Sequence, residues 1–117
     1  MTSEGRPYSQ FQRALRTGNP EIALAAAREL RSLDLADALS LVLLLRSDAE
    51  RYPRGAVRWL ERYCRACENV SLRDSRLALD AFIELAEHRP GPASARLAER
   101  LRAQGQERAA QRLEQAE

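Results

Sequence analysis

Apolar residues along this chain recur at steps of three and four, in short runs bounded by helix start and stop signals. That spacing marks helices with one buried face, and no segment alternates with the two-residue period of a strand. Phe11 and Leu15 follow Ser9-x-x-Gln12, which reads as a capping box and predicts a helix over 10–17, ended by Gly18. Asn19-Pro20-Glu21 starts a second helix, with Ile22, Ala23, Ala26, Ala27 and Leu30 as its stripe. Asp34-x-x-Asp37 starts a third, over 35–46. Its run from Leu39 to Leu45 is apolar nearly all round, which places this helix at the centre of the molecule. Leu and Ala, rather than β-branched residues, decide for helix over buried strand there.

A fourth helix is expected over 53–67, opened by Pro53, and a fifth from 72 to 87 or 88, opened by the capping box Ser71-x-x-Asp74. His88-Arg89-Pro90-Gly91-Pro92 cannot continue a helix, because two prolines and a glycine interrupt it. A sixth helix over 93–103, the Gly105 stop and a seventh over 106–115 follow. The starts are unevenly spaced, so no repeat of fixed length is present. Short connections require each helix to run antiparallel to the next. The expected fold class is therefore all-α: a compact bundle or short irregular solenoid of six to seven antiparallel helices. Residues 1–8 are expected to be a flexible N-terminus and 9–117 a single helical domain, with 89–92 the one place where it could subdivide.

At 117 residues the chain can bury a sizeable core, and 44% hydrophobic with 31% charged residues is an ordinary globular balance. All 19 basic residues are arginine; lysine is absent, and Ile and Asn occur twice each. A GC-rich coding sequence accounts for that bias, so arginine content by itself is no sign of nucleic-acid affinity. The net charge of +2 agrees. Met1 to Pro7 lack an apolar leader, and the longest apolar run, Leu41 to Leu45, is too short to span a bilayer. The expectation is a soluble cytoplasmic protein with no membrane contact. Two cysteines without a secretory signal argue against a disulfide framework.

Two resemblances follow from particular residues. Ala95-Arg96-Leu97-Ala98, through Gly105 to Ala109, Leu113 and Ala116, resembles half of a tetratricopeptide-like helical hairpin, without that motif's aromatic positions. More broadly, Phe11-x-Arg13-Ala14, Gly18-Asn19, Ala27-x-Glu29-Leu30, Asp37-Ala38-Leu39, Ala56-Val57-Arg58-Trp59 and Ser71-Leu72 are similar to small, uncharacterised all-helical proteins of GC-rich actinobacteria. That resemblance implies a bacterial helical protein and brings no activity with it.

The sharpest chemical pattern lies on the fourth helix. Arg51, Arg54, Arg58, Arg62 and Arg65 fall within roughly an 80° arc, with Arg73 and Arg76 able to extend it. Guanidinium groups so aligned could hold phosphates or carboxylates, or could simply form a solvated face. Val57, Leu60, Cys64 and Cys67 take the opposite side, with Trp59 and Tyr63 at the border. Those two aromatics and Tyr52 are residue types favoured at interface hot spots, and equally at home in a core. Cys64-x-x-Cys67 has too few companion ligands for zinc and sits at a helix end, where no dipole activates a thiol. His88, the only histidine, fits a helix C-terminal position. No phosphate loop, nucleophile elbow or paired-carboxylate motif appears. The expectation is no enzyme, no cofactor and no metal. It is a module that binds another protein, with nucleic acid contacted through the arginine stripe as the alternative. Self-association through the alanine-rich second helix is compatible with either.

Overall fold

Most of the start signals are realised as hydrogen bonds. Asn19 Oδ1 accepts the N–H groups of Glu21 (2.9 Å) and Ile22 (3.4 Å) and starts α2 (Pro20–Arg28). Asp34 Oδ1 accepts Asp37 N–H at 2.8 Å and starts α3 (Leu35–Leu44). Ser71 and Asp74 form the reciprocal box, both bonds 3.0 Å, at the head of α5 (Leu72–Ala86). The computed structural model describes residues 5–89 and 91–116; among them seven helices form and no strand. The remaining four are α1 (Gly5–Arg16), α4 (Arg51–Ala66), α6 (Pro92–Ala103) and α7 (Glu107–Gln115). Gly18 (φ +71°) and Gly105 (φ +79°) take the left-handed backbone that ends a helix.

Two starts differ from the sequence expectation. The first helix begins by Gly5, so residues 5–8 are helical rather than a flexible N-terminus; residues 1–4 of that segment lie outside the described residues. Ser9 is not a cap but an interior residue whose hydroxyl donates to Gly5 O (3.0 Å). The extra turn tolerates Pro7 in its opening turn and is held from outside, where Arg108 donates to the Tyr8 hydroxyl at 3.2 Å. α4 starts at Arg51 rather than Pro53, because Asp48 Oδ1 accepts the N–H groups of Glu50 (3.0 Å) and Arg51 (2.8 Å).

The packing makes a bundle rather than a solenoid. Each helix packs on the next in sequence, and α7 also returns to α3. A solenoid has neighbour contacts only; this closure buries α3 among α1, α2, α4 and α7, as its all-round apolar pattern predicts. The radius of gyration is 13.9 Å, close to the ~13 Å expected of a compact chain this long. A continuous core runs through α3 to α7, from Leu39 and Trp59 to Leu97 and Leu113. Phe11, Ala14 and Ala23 are buried where α1 and α2 pack together and against α3.

The break after α5 is bridged rather than loose, although Pro90 within it lies outside the described residues. His88 adopts φ +55°, and Arg89 N–H bonds back to Glu84 O (3.2 Å). The Glu84 carboxylate then accepts Ala93 N–H (3.1 Å) and Ser94 N–H (3.0 Å), capping α6 from α5. That places it directly against Gly91, where a Cβ would lie 2.3 Å from Glu84 Cδ.

Gly91→Ala should therefore act through the Glu84 cap. Its backbone (φ −141°, ψ 170°) suits alanine, so the cost is the displaced carboxylate, about 1 kcal/mol as for other lost caps. In a Glu84→Ala background the same change should be neutral or slightly stabilising, because alanine then only restricts the unfolded chain. Denaturant unfolding of the four proteins reads this directly, and additive losses would refute the mechanism. A second expectation concerns acid. Asp74 is held below the usual carboxylate range by Ser71 N–H and by Arg100, whose Nε lies 3.1 Å away. A depressed carboxyl contributes stability above its unfolded pKa and loses it as pH falls through the folded one. Asp74→Asn should accordingly flatten the acid limb of the stability–pH curve, measured by thermal melts below pH ~5.

Candidate interaction surface

α4 is amphipathic, but its buried arc is rotated from the one expected. Tyr52, Ala56, Trp59 and Tyr63 are the buried line, at steps of four, three and four. Val57 is half exposed and Leu60 only partly covered. The aromatic side chains decide the rotation, since each offers 150–250 Å² to bury and Val57 far less. Trp59 is 1% exposed and Tyr63 fully buried, so these two candidate site residues, and Tyr52 with them, are core and offer no surface to a partner.

Their polar ends are all satisfied within the bundle. Trp59 Nε1–H donates to Leu35 O (3.0 Å), the Tyr52 hydroxyl to Phe82 O (2.6 Å) and the Tyr63 hydroxyl to Gln104 Oε1 (2.7 Å). Burial pushes the Tyr52 phenol up to about 12. Trp59 stacks on Tyr63, ring centroids 5.3 Å apart, and meets Phe82 edge-on at 5.4 Å.

The five arginines do share one side of α4 but divide in use. Arg51 pairs with Glu21 (2.7 Å) and Asp48 (2.7 Å), tying α4 to α2. Arg62 Nη1 donates to Leu33 O (2.7 Å), closing the loop before α3. Arg54, Arg58 and Arg65 are exposed and make no hydrogen bond or ion pair with the described residues. Glu61 stands among them: it lines an open cleft of about 670 Å³ with Arg58, Arg62, Arg65 and Asp34. The surface is mixed in sign, not a continuous cationic strip. Arg73 and Arg76 lie on the outer face of α5.

The cysteines also part company. Cys67 is buried and Cys64 exposed, both as free thiols, which corrects the expectation that both face the apolar side. Three residues advance a helix by roughly 300°, enough to carry Cys64 past the edge of the narrow aromatic arc. Burial pushes the Cys67 thiol up. No group of His, Cys, Asp and Glu suited to a metal ion occurs among the described residues.

Two features escaped the sequence reading. One is an ionic clamp between α3 and α7. Asp37, 2% exposed, faces Arg108 (3.4 Å) and Arg112 (3.7 Å), while Asp34 pairs with Arg108 and Arg112 donates to Ser40 Oγ (2.8 Å). Burial, then the Asp34 charge, pushes the Asp37 carboxyl up. Asp34, although partly desolvated, is held below its ordinary value by Asp37 N–H and Arg108. The clamp borders an open cleft of about 590 Å³ lined also by Tyr8, Leu30 and Arg31. Residues 71 positions apart meet here, so no local motif announced it.

The other is the outer face of α5. Leu72 is 90% exposed, Ile83 58% and Leu79 39%, although α5 has a separate buried line in Ala78, Ala81, Phe82 and Leu85. Leu72, Leu79 and Ile83 fall within roughly a 40° arc. The available signal was an excess: α5 carries two apolar arcs but, among the described residues, packs only on the helices α4 and α6.

No protein-family model matches this chain, and comparison with curated proteins and with solved structures likewise returns no match. No helix among the described residues is long and apolar enough to cross a membrane.

The thiol geometry gives a direct check. In the folded protein Ellman's reagent should modify Cys64 within minutes and Cys67 only after denaturant is added. Cys64→Ser should abolish the fast phase. Fast reaction of both thiols in the folded wild type would contradict the burial of Cys67.

Proposed function

We propose that this chain is a non-enzymatic helical module that binds another protein, and that it does so through the outer face of α5. The observation that supports this reading is the stripe of Leu72, Leu79 and Ile83, large apolar side chains held on a regular helix outside the core. Isolated apolar residues on a surface need no explanation; three aligned on one helix face form the anchor pattern of helix–helix recognition. This places the surface away from Trp59 and Tyr63, which serve the core instead. The reading rests on a packing surface and gives no side chain the role of acid, base or nucleophile.

A second reading keeps Arg54, Arg58 and Arg65, whose guanidinium groups have no partner among the described residues and could meet phosphates of a nucleic acid. Glu61 beside them weakens it.

The deciding experiment recovers tagged wild type, Leu72→Glu/Ile83→Glu and Arg54→Glu/Arg58→Glu/Arg65→Glu from native cells, with and without nuclease. A protein partner lost only from the first variant carries the reading. Retention by that variant, with loss in the arginine variant and on nuclease treatment, would replace it with the phosphate contact. That contact would show a salt slope of roughly 0.9 per phosphate held on a duplex.

A further inference from the structure

The same α5 face carries an ordered charge pattern beside its apolar stripe. Going around the helix from Leu79, Leu72 and Ile83, the next positions are Arg76, Glu87, Asp80 and Arg73, all on one flank and all exposed. Along the axis the flank is divided by sign: Arg73 and Arg76 occupy its N-terminal half, Asp80 and Glu87 its C-terminal half. The other flank, Ser75 and Ala86, is uncharged and partly covered.

Such a face is complementary to itself only when turned end for end. When two copies of a helix pack antiparallel about a two-fold axis, each flank lies against the same flank of the other copy. A basic half then meets an acidic half twice. A parallel two-fold arrangement would instead set each charged flank against the partner's uncharged flank of Ser75 and Ala86, leaving the charges unpaired. With Leu79 on the axis, Leu79 meets the partner's Leu79 and Leu72 comes beside the partner's Ile83. Arg76 reaches the partner's Asp80, and Arg73 the partner's Glu87, each offset by about one half-turn of helix, within reach of an arginine.

We infer that the partner of this face is a second copy of the chain, in an antiparallel α5–α5 dimer centred on Leu79. The inference rests on the reading of α5 as the interaction surface and names its occupant. α5, at 15 residues, is about 22 Å long, so one helix-on-helix contact lies near or below the ~1,200 Å² of standard interfaces. The dimer is accordingly a weak one, with a dissociation constant between about 1 μM and 1 mM.

The test uses sedimentation equilibrium of the full chain from about 10 μM to 1 mM. Wild type should dimerise over this range. Arg76→Asp sets two carboxylates together at both symmetric positions, the new one facing the partner's Asp80, and Asp80→Arg sets two arginines together. Each variant alone should therefore self-associate at least about tenfold more weakly. Mixed one to one, the two variants should form a heterodimer of near wild-type affinity, because every pair is then opposite in sign. That rescue also shows that neither variant has lost its fold.

Failure of the mixture to associate, with both variants weakened, would overturn the antiparallel register. A wild type that stays monomeric to 1 mM would overturn the second copy as occupant. If Leu72→Glu/Ile83→Glu then still loses a protein partner in cells, the interaction reading survives without the dimer. If it loses none, both fall together.

Discussion

The bundle depends on one ridge of aromatic side chains along α4. Tyr52, Trp59 and Tyr63 fill the core; Trp59 stacks on Tyr63, and Tyr52 and Trp59 meet Phe82 edge-on. Each also ends in a donor that a dry interior must satisfy, since a buried unpaired donor costs about 1–3 kcal/mol. The three acceptors come from three different places: the head of α3, the body of α5 and the turn between α6 and α7. The ridge therefore supplies bulk and register at once. Helices built largely of Ala and Leu could slide past one another at small cost; fixed donors on α4 remove that freedom. The rotation of α4 that exposes Val57 and Cys64 follows from the same ridge, as does the presentation of its arginines to solvent.

Ends of helices are local events, and the sequence carried them well. Asn19, Asp34 and the Ser71–Asp74 box bond as their spacing implies, and Gly18 and Gly105 stop helices as glycine does. The misplaced start of α1 has a non-local cause, because Tyr8 is held by Arg108, one hundred residues away. On α4, equal weight for each apolar residue around the wheel puts the buried arc too far toward Val57. Weighting by area would have put Trp59 and Tyr63 at its centre.

The surface was less legible than the fold. Sequence alone aligned the α4 arginines correctly but could not reveal which were already engaged, since Glu21, Asp48 and the Leu33 carbonyl reach them only once α2 and α3 have docked. The α5 stripe was hidden for the opposite reason. Leu72, Leu79 and Ile83 resemble core residues, and they are seen to stand outside the core only once α5 is found, among the described residues, to pack on α4 and α6 alone.

The return of α7 onto α3 also bears on the order in which the chain is made. Asp37 is synthesised 71 residues before Arg108, its partner across the clamp, an interval of several seconds at ordinary rates of elongation. During that interval the most apolar helix of the protein has a carboxylate at its head and no helix to cover its α7-facing side. Nascent α3 is thus the segment with most to gain from a chaperone's temporary shelter, and the clamp is among the last contacts to relieve that need.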